Sequence, residues 1–431
     1  MIQRFAYGNE TLEVDVPGNL IQVLRPDVGE ATESEEQIVR SALESPTGSP
    51  RLGDMVNPGE SAVVLISDMT RLWVRQDLFL PRIIEELARG GVHPSDITLI
   101  AATGDHRGHA DEEWKLLLGP DIPAGVRWVD HDARDSASMV HLGSTSRGTE
   151  VSINALAAEA DRLILTGGIV YHFLAGFSGG MKAILPGVSS YETIMANHSL
   201  ALAEGGGIEA SVSAGTMSGN PCSEDIWEGG ELGSPDFLFN VVVDDENHRI
   251  VGAVAGDPRS AHRIGRGLAR DRWEVAIERR VPVVLASSGG YPKDINLYQT
   301  YKTLYGARRA VADGGTVVIA SLCSEGMGND DFARMLLEHS SNREREARLR
   351  EEFTIGGYMA FHAAVMASEC DVILVSGMDA AEIEAAGMIA AGDMDEAVQK
   401  VVDKHGSEFE YHMMPSGGAF PVMKRGEVDC G

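Results

Sequence analysis

Short runs of apolar, mostly β-branched residues recur along the chain, and each run ends in small or polar residues. Residues 61–67 (SAVVLIS) are predicted to form a buried strand, and residues 78–89 show helical spacing of apolar positions. Strands that alternate with helices predict an α/β fold with mainly parallel sheets covered on both faces, and an antiparallel α+β fold is the alternative. Further buried strands are predicted at 97–102, 162–166, 282–287, 316–321 and 371–376.

The spacing of these strands also predicts where the chain divides. Residues 259–280 are rich in charge and helix formers and separate two strand-rich stretches. A length of 431 residues is enough for two or three domains. We therefore expect an N-terminal α/β domain at 1–275 and a C-terminal α/β domain at 276–431, with the active site in the cleft between them. Short strands are expected in the first 30 residues, followed by a helix at 33–44.

Composition narrows the range of partners. The 36 Lys and Arg residues against 65 Asp and Glu residues make a net charge of −29, which repels phosphate backbones and disfavours a nucleic-acid role. No apolar run approaches the roughly 20 residues that span a bilayer, and the N-terminus lacks a signal pattern. The expectation is a cytoplasmic protein without a membrane partner. Its four cysteines form no C-x-x-C pair and indicate neither a disulfide framework nor a thiolate zinc site.

Ionisable side chains follow several of the predicted strands directly. Ligands of open α/β sheets bind beyond the carboxyl ends of the strands, so these residues are expected to form one site. In chain order the strand ends carry Asp68, Thr70 and Arg71; His106 and His109; His172 and Lys182; Gln299 and Lys302; and Cys323.

The segment 176–182 (GFSGGMK) combines glycines with a lysine. Its glycines would let backbone N–H groups approach an anion closely. It is not a P-loop, because the spacing differs and Ala183 stands where a Ser or Thr would hold magnesium. We therefore reject an NTPase but retain a phosphate-bearing cofactor, the alternative being a flexible turn whose lysine points to solvent. No G-x-G-x-x-G follows a predicted strand, so a conventional NAD site has no support.

The histidines leave two interpretations open. His106 and His109 are three residues apart without the glutamate of an H-E-x-x-H motif, so a mononuclear zinc hydrolase that uses them with His172 is a weak alternative. His198 follows the helical pattern of 191–197, and by itself it is typical of a surface or core histidine.

Four motifs together resemble the nickel-dependent lactate racemase family over almost the whole chain. They are S-D-M-T-R at 67–71, T-G-D-H-R at 103–107, H-F-L-A-G-F-S-G-G-M-K-A-I-L-P-G at 172–187 with N-H-S at 197–199, and G-G-Y-P-K-D-I-N-L-Y-Q-T-Y-K at 289–302. The third is the longest and most specific, and the order and spacing of all four carry the resemblance.

The resemblance implies a cofactor and a role for each motif. The family uses a nickel-pincer nucleotide, a pyridinium-3,5-bisthiocarboxylic acid mononucleotide that grips nickel, and here it would be attached covalently at Lys182. His198 would be the protein ligand to nickel, a role that suits neutral imidazole. His106 and His172 would be the acid/base residues. The substrate would contact Arg71, Gln299 and Lys302, and the cofactor would contact Asp68, Thr70, Ser178, Gly179 and Gly180.

The implied activity is that of an isomerase. It would invert C2 of a small 2-hydroxy acid by proton-coupled hydride transfer through a 2-keto acid, with one histidine serving each enantiomer. Proteins of cofactor synthesis would be transient partners. A non-catalytic carrier or sensor of the same nucleotide is a further alternative.

One departure from the family pattern concerns the residues after Arg71. A proline is expected directly after Arg71, but the chain continues with Leu72, Trp73, Val74 and Arg75. In addition, Arg107 follows His106. Extra cations would suit a substrate with a second anionic or polyhydroxylated end. The preferred interpretation is that Arg75 and Arg107 form salt bridges on an acidic protein.

Overall fold

The computed structural model describes residues 1–26, 33–244 and 248–424. The chain forms two compact units, one of Val28–Arg272 and one of Met1–Asp27 together with Trp273–Gly431. The predicted mixed α/β architecture with mainly parallel sheets is confirmed, because each unit contains a six-stranded sheet that is wholly or largely parallel. Part of the predicted N-terminal strand region, residues 27–32, lies outside the described residues.

The strands are numbered along the chain. They are β1 (Ile2–Tyr7), β2 (Glu10–Asp15), β3 (Asn19–Val23), β4 (Ala62–Ser67), β5 (Ile97–Ala102), β6 (Arg127–Asp130), β7 (Met139–Ser144), β8 (Glu150–Asn154), β9 (Arg162–Gly168), β10 (Tyr171–His172), β11 (Gly176–Phe177), β12 (Phe237–Val243), β13 (Ile250–Gly256), β14 (Glu274–Ile277), β15 (Val281–Ser287), β16 (Val311–Ala320), β17 (Asp371–Val375), β18 (Ile389–Ala391), β19 (Glu410–Met414) and β20 (Phe420–Met423).

The helices are numbered in the same way. They are α1 (Glu35–Glu44), α2 (Gln76–Arg89), α3 (Asp111–Leu118), α4 (Ala155–Ala158), α5 (Tyr191–Ser199), α6 (Pro221–Leu232), α7 (Pro258–Trp273), α8 (Leu297–Arg308), α9 (Asp330–Glu338), α10 (Asn342–Glu351), α11 (Ile355–Glu369), α12 (Ala380–Ala385) and α13 (Met394–His405).

The sheet of the unit Val28–Arg272 has the strand order β13-β12-β9-β4-β5-β6, and only β13 runs antiparallel to its neighbour. The first five residues of β4 are all buried, as expected for a strand covered on both faces. The chain passes from β4 to β5 on one side and later returns to β9 on the other. The carboxyl ends of β4 and β9 therefore flank a topological switch point, where ligands of such sheets bind.

The sheet of the second unit has the order β18-β17-β16-β15-β19-β3 and is parallel throughout. Its edge strand β3 comes from the start of the chain and pairs with β19. Phe5, Val14 and Val16, from β1, β2 and the residue after β2, are buried in the same core as Leu285 and Tyr411. The division at residue 275 stays a prediction, and apolar burial and strand pairing join β1, β2 and β3 to the C-terminal unit.

The segment 259–280, rich in helix formers, is only partly helical in the structure. α7 ends at Trp273 rather than continuing to 280, because Glu274–Ile277 becomes strand β14 and pairs with β20. In the glycine-rich segment 176–182, Gly180 begins a single 3₁₀ turn, Gly180–Ala183. Within the ranges described, no helix is both long and apolar enough to cross a bilayer.

Candidate active site

Three predicted site residues of the first unit lie beyond neighbouring strand ends. Asp68 follows β4 directly, His106 lies four residues beyond β5, and His172 lies just beyond β9 in the short strand β10. The strands are adjacent in the order β9-β4-β5, so their carboxyl ends meet at one edge of the sheet. The structure thus brings these parts of the predicted site together.

His106 is held by a buried carboxylate. Its Nδ1–H donates to Asp68 Oδ2 at 2.5 Å, while Asp68 Oδ1 accepts from the Thr70 hydroxyl at 2.6 Å. Burial would raise the pKa of Asp68, but the hydrogen bonds from His106 and Thr70 and the charge of Arg71 lower it overall, so the carboxylate stays ionised. Because Nδ1 carries the hydrogen, the Nε2 lone pair of His106 is available as a proton acceptor.

Arg71 is linked to the same segment. Its Nη1 donates to Thr70 Oγ1 at 2.8 Å, and its positive charge acts on Lys182. A guanidinium can bind both oxygens of a carboxylate, so Arg71 is suited to an anionic substrate.

His172 is held by main-chain groups instead. Its Nδ1 accepts the backbone N–H groups of Leu174 and Ala175, both at 3.2 Å. In the neutral ring the hydrogen is therefore on Nε2, which donates to Lys182 Nζ at 2.8 Å. Such a bond requires an uncharged amine as acceptor.

The amine of Lys182 meets that requirement. Burial, and secondarily the positive charge of Arg71, lower the pKa of Lys182 from 10.5 to about 7. A substantial fraction of this amine is uncharged at neutral pH and is therefore nucleophilic.

His198 lies in α5 and is only 4% exposed. Burial and then the charge of Lys182 lower its pKa to about 3, so the ring is neutral. Its Nδ1 is buried and makes no hydrogen bond of normal geometry. The next residue back, Asn197, donates to Asp225 Oδ2 at 2.9 Å, and this fully buried carboxylate ties α5 to α6. His198 is thus a rigidly supported, unprotonated imidazole.

The segment Ser178, Gly179 and Gly180 uses its polar groups internally. The Ser178 N–H donates to the Val170 carbonyl at 2.9 Å, and its hydroxyl donates to the Gly168 carbonyl at 2.7 Å. The Gly180 N–H donates to Asn240 Oδ1 at 2.9 Å. Gly179 has φ +74° and a side chain there would lie 2.5 Å from Asn240, so glycine is required for packing. The predicted contact of this segment with a phosphate stays a prediction.

Gln299 and Lys302 lie on α8 of the second unit. Asn296 caps this helix by accepting the Gln299 N–H, and Lys302 Nζ donates to Gln299 Oε1 at 2.7 Å. Their assignment to the same site as His106 stays a prediction.

His109 is not arranged as a metal ligand. Its Nδ1–H donates to Asp130 Oδ1 at 2.5 Å and its Nε2 accepts the Met69 N–H at 2.9 Å, so both ring nitrogens are occupied. Within residues 1–26, 33–244 and 248–424, no group of three or more His, Cys, Asp or Glu side chains is placed to hold a metal ion. The sequence pattern did not single out Asp130, although this residue follows the apolar pair Trp128–Val129 in β6 and precedes His131.

The extra arginines form the expected salt bridges. Arg75 contacts Glu35 and Asp77, both at 3.4 Å, and Arg107 contacts Glu113 at 2.6 Å. Their charges are therefore already compensated, and the hypothesis of a second anionic end on the substrate loses its motivation.

Comparison with known proteins agrees with this arrangement. Residues 7–207 match the family model described as lactate racemase N-terminal domain, and residues 276–422 match the lactate racemase C-terminal domain. The chain is 36% identical over 337 residues to the lactate racemase of Thermoanaerobacterium thermosaccharolyticum, covering 77% of each chain. It is 31% identical over 398 residues to that of Lactiplantibacillus plantarum, covering 89% of this chain and 90% of the relative.

Solved structures extend the comparison to the fold. The lactate racemase apoprotein of T. thermosaccharolyticum superposes with a TM-score of 0.89 at 31% identity, covering 99% of this chain and 100% of that one. A protein from Thermotoga maritima shares the fold alone, with a TM-score of 0.66 at 17% identity over 92% of this chain and 99% of its own. The two curated relatives and the matched family models show that this chain belongs to the lactate racemase family and is an isomerase.

Proposed function

We propose that this chain is a racemase or epimerase that inverts C2 of a small 2-hydroxy acid with a nickel-pincer nucleotide attached at Lys182. The curated relatives act on lactate, so lactate is the first substrate to test. The observation that carries the proposal is the Lys182 amine, which accepts a hydrogen bond from His172 and acts electrostatically on His198.

The donor set fits the attachment and the metal. An amine with a pKa of about 7 can be acylated near neutral pH, whereas an ordinary lysine is almost fully protonated there. The neutral ring of His198, whose buried Nδ1 lacks a hydrogen bond, suits a first-row metal such as nickel. Contacts of Ser178, Gly179 and Gly180 with the phosphate have no such support and stay a prediction.

The chain's own residues supply proton transfer and orientation. The group bound at Lys182 would supply reversible acceptance of the C2 hydride, a step for which amino-acid side chains have no equivalent. The Nε2 lone pair of His106 can take the hydroxyl proton of one enantiomer, and His172 would serve the other once the hydrogen on its Nε2 has left. Arg71 would hold the substrate carboxylate, and Asp68 and Thr70 would hold Arg71 and His106 in place.

Two other functions predict different behaviour. A hydrolase that uses His106, His109 and His172 is disfavoured because both ring nitrogens of His109 are engaged. A non-catalytic carrier would not need a histidine whose tautomer is set by a buried carboxylate. The proposal also includes transient contact with the proteins that make the cofactor.

The test is intact-protein mass spectrometry with metal analysis on protein coexpressed with the cofactor-synthesis proteins. We expect near-stoichiometric nickel and an added mass at residue 182. Lys182→Ala and His198→Ala should lose both signals, whereas His106→Ala should keep them and lose racemisation. Loaded protein that inverts no member of a 2-hydroxy-acid panel would instead support a carrier, and zinc-dependent hydrolysis by Lys182→Ala would support the hydrolase.

A further inference from the structure

His109 is fixed in a single tautomer by Asp130. Its side chain is 2% exposed, and its Nδ1–H donates to Asp130 Oδ1. The other oxygen, Asp130 Oδ2, accepts the backbone N–H of His109 at 2.9 Å. One carboxylate thus binds both the main chain and the ring of the same residue. The ring has its hydrogen on Nδ1 and a lone pair on Nε2.

That lone pair accepts the N–H of Met69, the first residue of the 3₁₀ turn Met69–Val74. The first N–H groups of a helical turn have no partner within the turn and need an acceptor from elsewhere. An N-cap side chain accepts from the second or third residue of a helical turn, so it does not serve the first residue, Met69. Asp68 is the N-cap residue here, and its side chain makes no capping hydrogen bond.

The bond from the Met69 N–H to His109 fixes the main chain directly after Asp68. The two oxygens of the Asp68 carboxylate accept from His106 and Thr70, and Thr70 in turn accepts from Arg71. Without an acceptor for Met69, the peptide next to Asp68 would be free to shift and would displace the carboxylate from these contacts. The orientation of His106 and Arg71 therefore depends on an acceptor that neither residue touches.

We propose that His109, held by Asp130, is a positioning residue that caps the turn 69–74. It thereby keeps the Asp68 carboxylate bonded to His106 and keeps Arg71 in its position. The effect on turnover rests on the proposed function, whereas the effect on the turn does not. His109 and Asp130 touch no reacting atom in this scheme.

Asp130→Asn is the sharpest test because it changes no volume. The two neighbours of this side chain, the N–H and Nδ1–H of His109, are both donors, so an amide faces one of them with its own NH₂ group. This donor–donor clash is removed if the ring hydrogen moves to Nε2, but there it points at the Met69 N–H, which is also a donor. We expect a changed His109 tautomer in ¹⁵N NMR and at least about tenfold faster hydrogen exchange at Met69. Misplacement of catalytic groups by about 1 Å can cost 10²-fold, so kcat per loaded site should fall about 10- to 100-fold.

Matched variants separate positioning from stability. His109→Phe keeps a ring against Trp114, which lies 5.3 Å away between ring centroids, but removes the acceptor, so it should behave like Asp130→Asn. His109→Gln retains an acceptor at similar reach and should recover most of kcat. Asp161→Asn, an exposed carboxylate that accepts from Ser61, is the control for an isosteric change and should leave kcat unchanged.

Each outcome bears on the proposal. Unchanged Met69 exchange and kcat in Asp130→Asn would overturn it, and so would a lower melting temperature with unchanged kcat per loaded site. If loaded wild-type protein turns over no 2-hydroxy acid, the proposed function fails. Faster Met69 exchange in Asp130→Asn would then still support the capping by His109.

Discussion

The two proposed acid/base histidines are held in opposite ways. His106 donates through Nδ1 to the carboxylate of Asp68, and its side chain is 52% exposed. His172 accepts main-chain N–H groups at Nδ1 and donates through Nε2 to Lys182. His106 therefore presents a lone pair at Nε2, whereas His172 presents a hydrogen at Nε2.

This difference shows what each ring can do before substrate binds. Inversion through a planar intermediate needs one group that takes the hydroxyl proton and a second that returns a proton to the product, and the two exchange roles in the reverse direction. A carboxylate partner stabilises the form of His106 that accepts at Nε2. Main-chain N–H partners stabilise the form of His172 whose Nε2 carries the hydrogen. His106 is therefore ready to take a hydroxyl proton, whereas the Nε2 hydrogen of His172 must leave before that ring can do the same.

The largest expected effect comes from removing either histidine. His106→Gln and His172→Gln should each lower racemisation of loaded enzyme by about 10²- to 10⁴-fold, the range of general acid–base catalysis. The measurement is the initial rate from each enantiomer, normalised to nickel content. If both variants racemise as fast as wild type, neither histidine transfers a proton and the contrast between them has no role in catalysis.

A smaller effect is expected from Asp68→Asn. The amide would donate to His106 Nδ1 and move the ring hydrogen to Nε2, so His106 would come to resemble His172. We expect kcat to fall about 10²-fold, since an aspartate that holds a catalytic histidine in one tautomer has effects of this order or larger. Thr70→Val, which removes one contact of the same carboxylate, should cost less. A fall in nickel content with unchanged kcat per nickel would assign Asp68 to cofactor binding alone.

The last expected effect is on the free energy of unfolding rather than on a rate, and it concerns Lys182, the partner of His172. The lowered pKa of Lys182 means that the unfolded apoprotein binds more protons between about pH 7 and 10.5, so this lysine destabilises the fold fully below pH 7 and progressively less as pH rises. The linkage amounts to about 4 to 5 kcal/mol at pH 6.5, so apoprotein with Lys182→Met should exceed wild type in free energy of unfolding by that amount less the cost of the hydrogen bond that His172 loses, with the difference shrinking towards pH 10.

Urea unfolding at pH 6.5, 8 and 9.5 measures this difference. Lys302→Met on α8 is a control. The gap in free energy of unfolding between this variant and wild type should not follow the pH dependence expected for Lys182→Met. A constant gap between Lys182→Met and wild type at all three pH values would contradict a buried, largely neutral amine.

The repeated apolar runs determined the parallel sheets by themselves, because a strand buried on both faces requires nearly continuous apolar residues. The strand ends also predicted that Asp68, His106 and His172 lie at one edge of the sheet, since parallel strands bring their carboxyl ends together. Strand bounds were also close, as with Ala62–Ser67 against the predicted 61–67.

Only the tertiary structure decided what each polar group is bonded to. The partner of His109 lies 21 residues away at Asp130, and that of Gly180 lies 60 residues away at Asn240. The strand that completes the second sheet comes from the opposite end of the chain. Periodicity reports which face of an element is buried, but the tautomer of a histidine or the use of an amide depends on hydrogen-bond partners that only folding brings within reach.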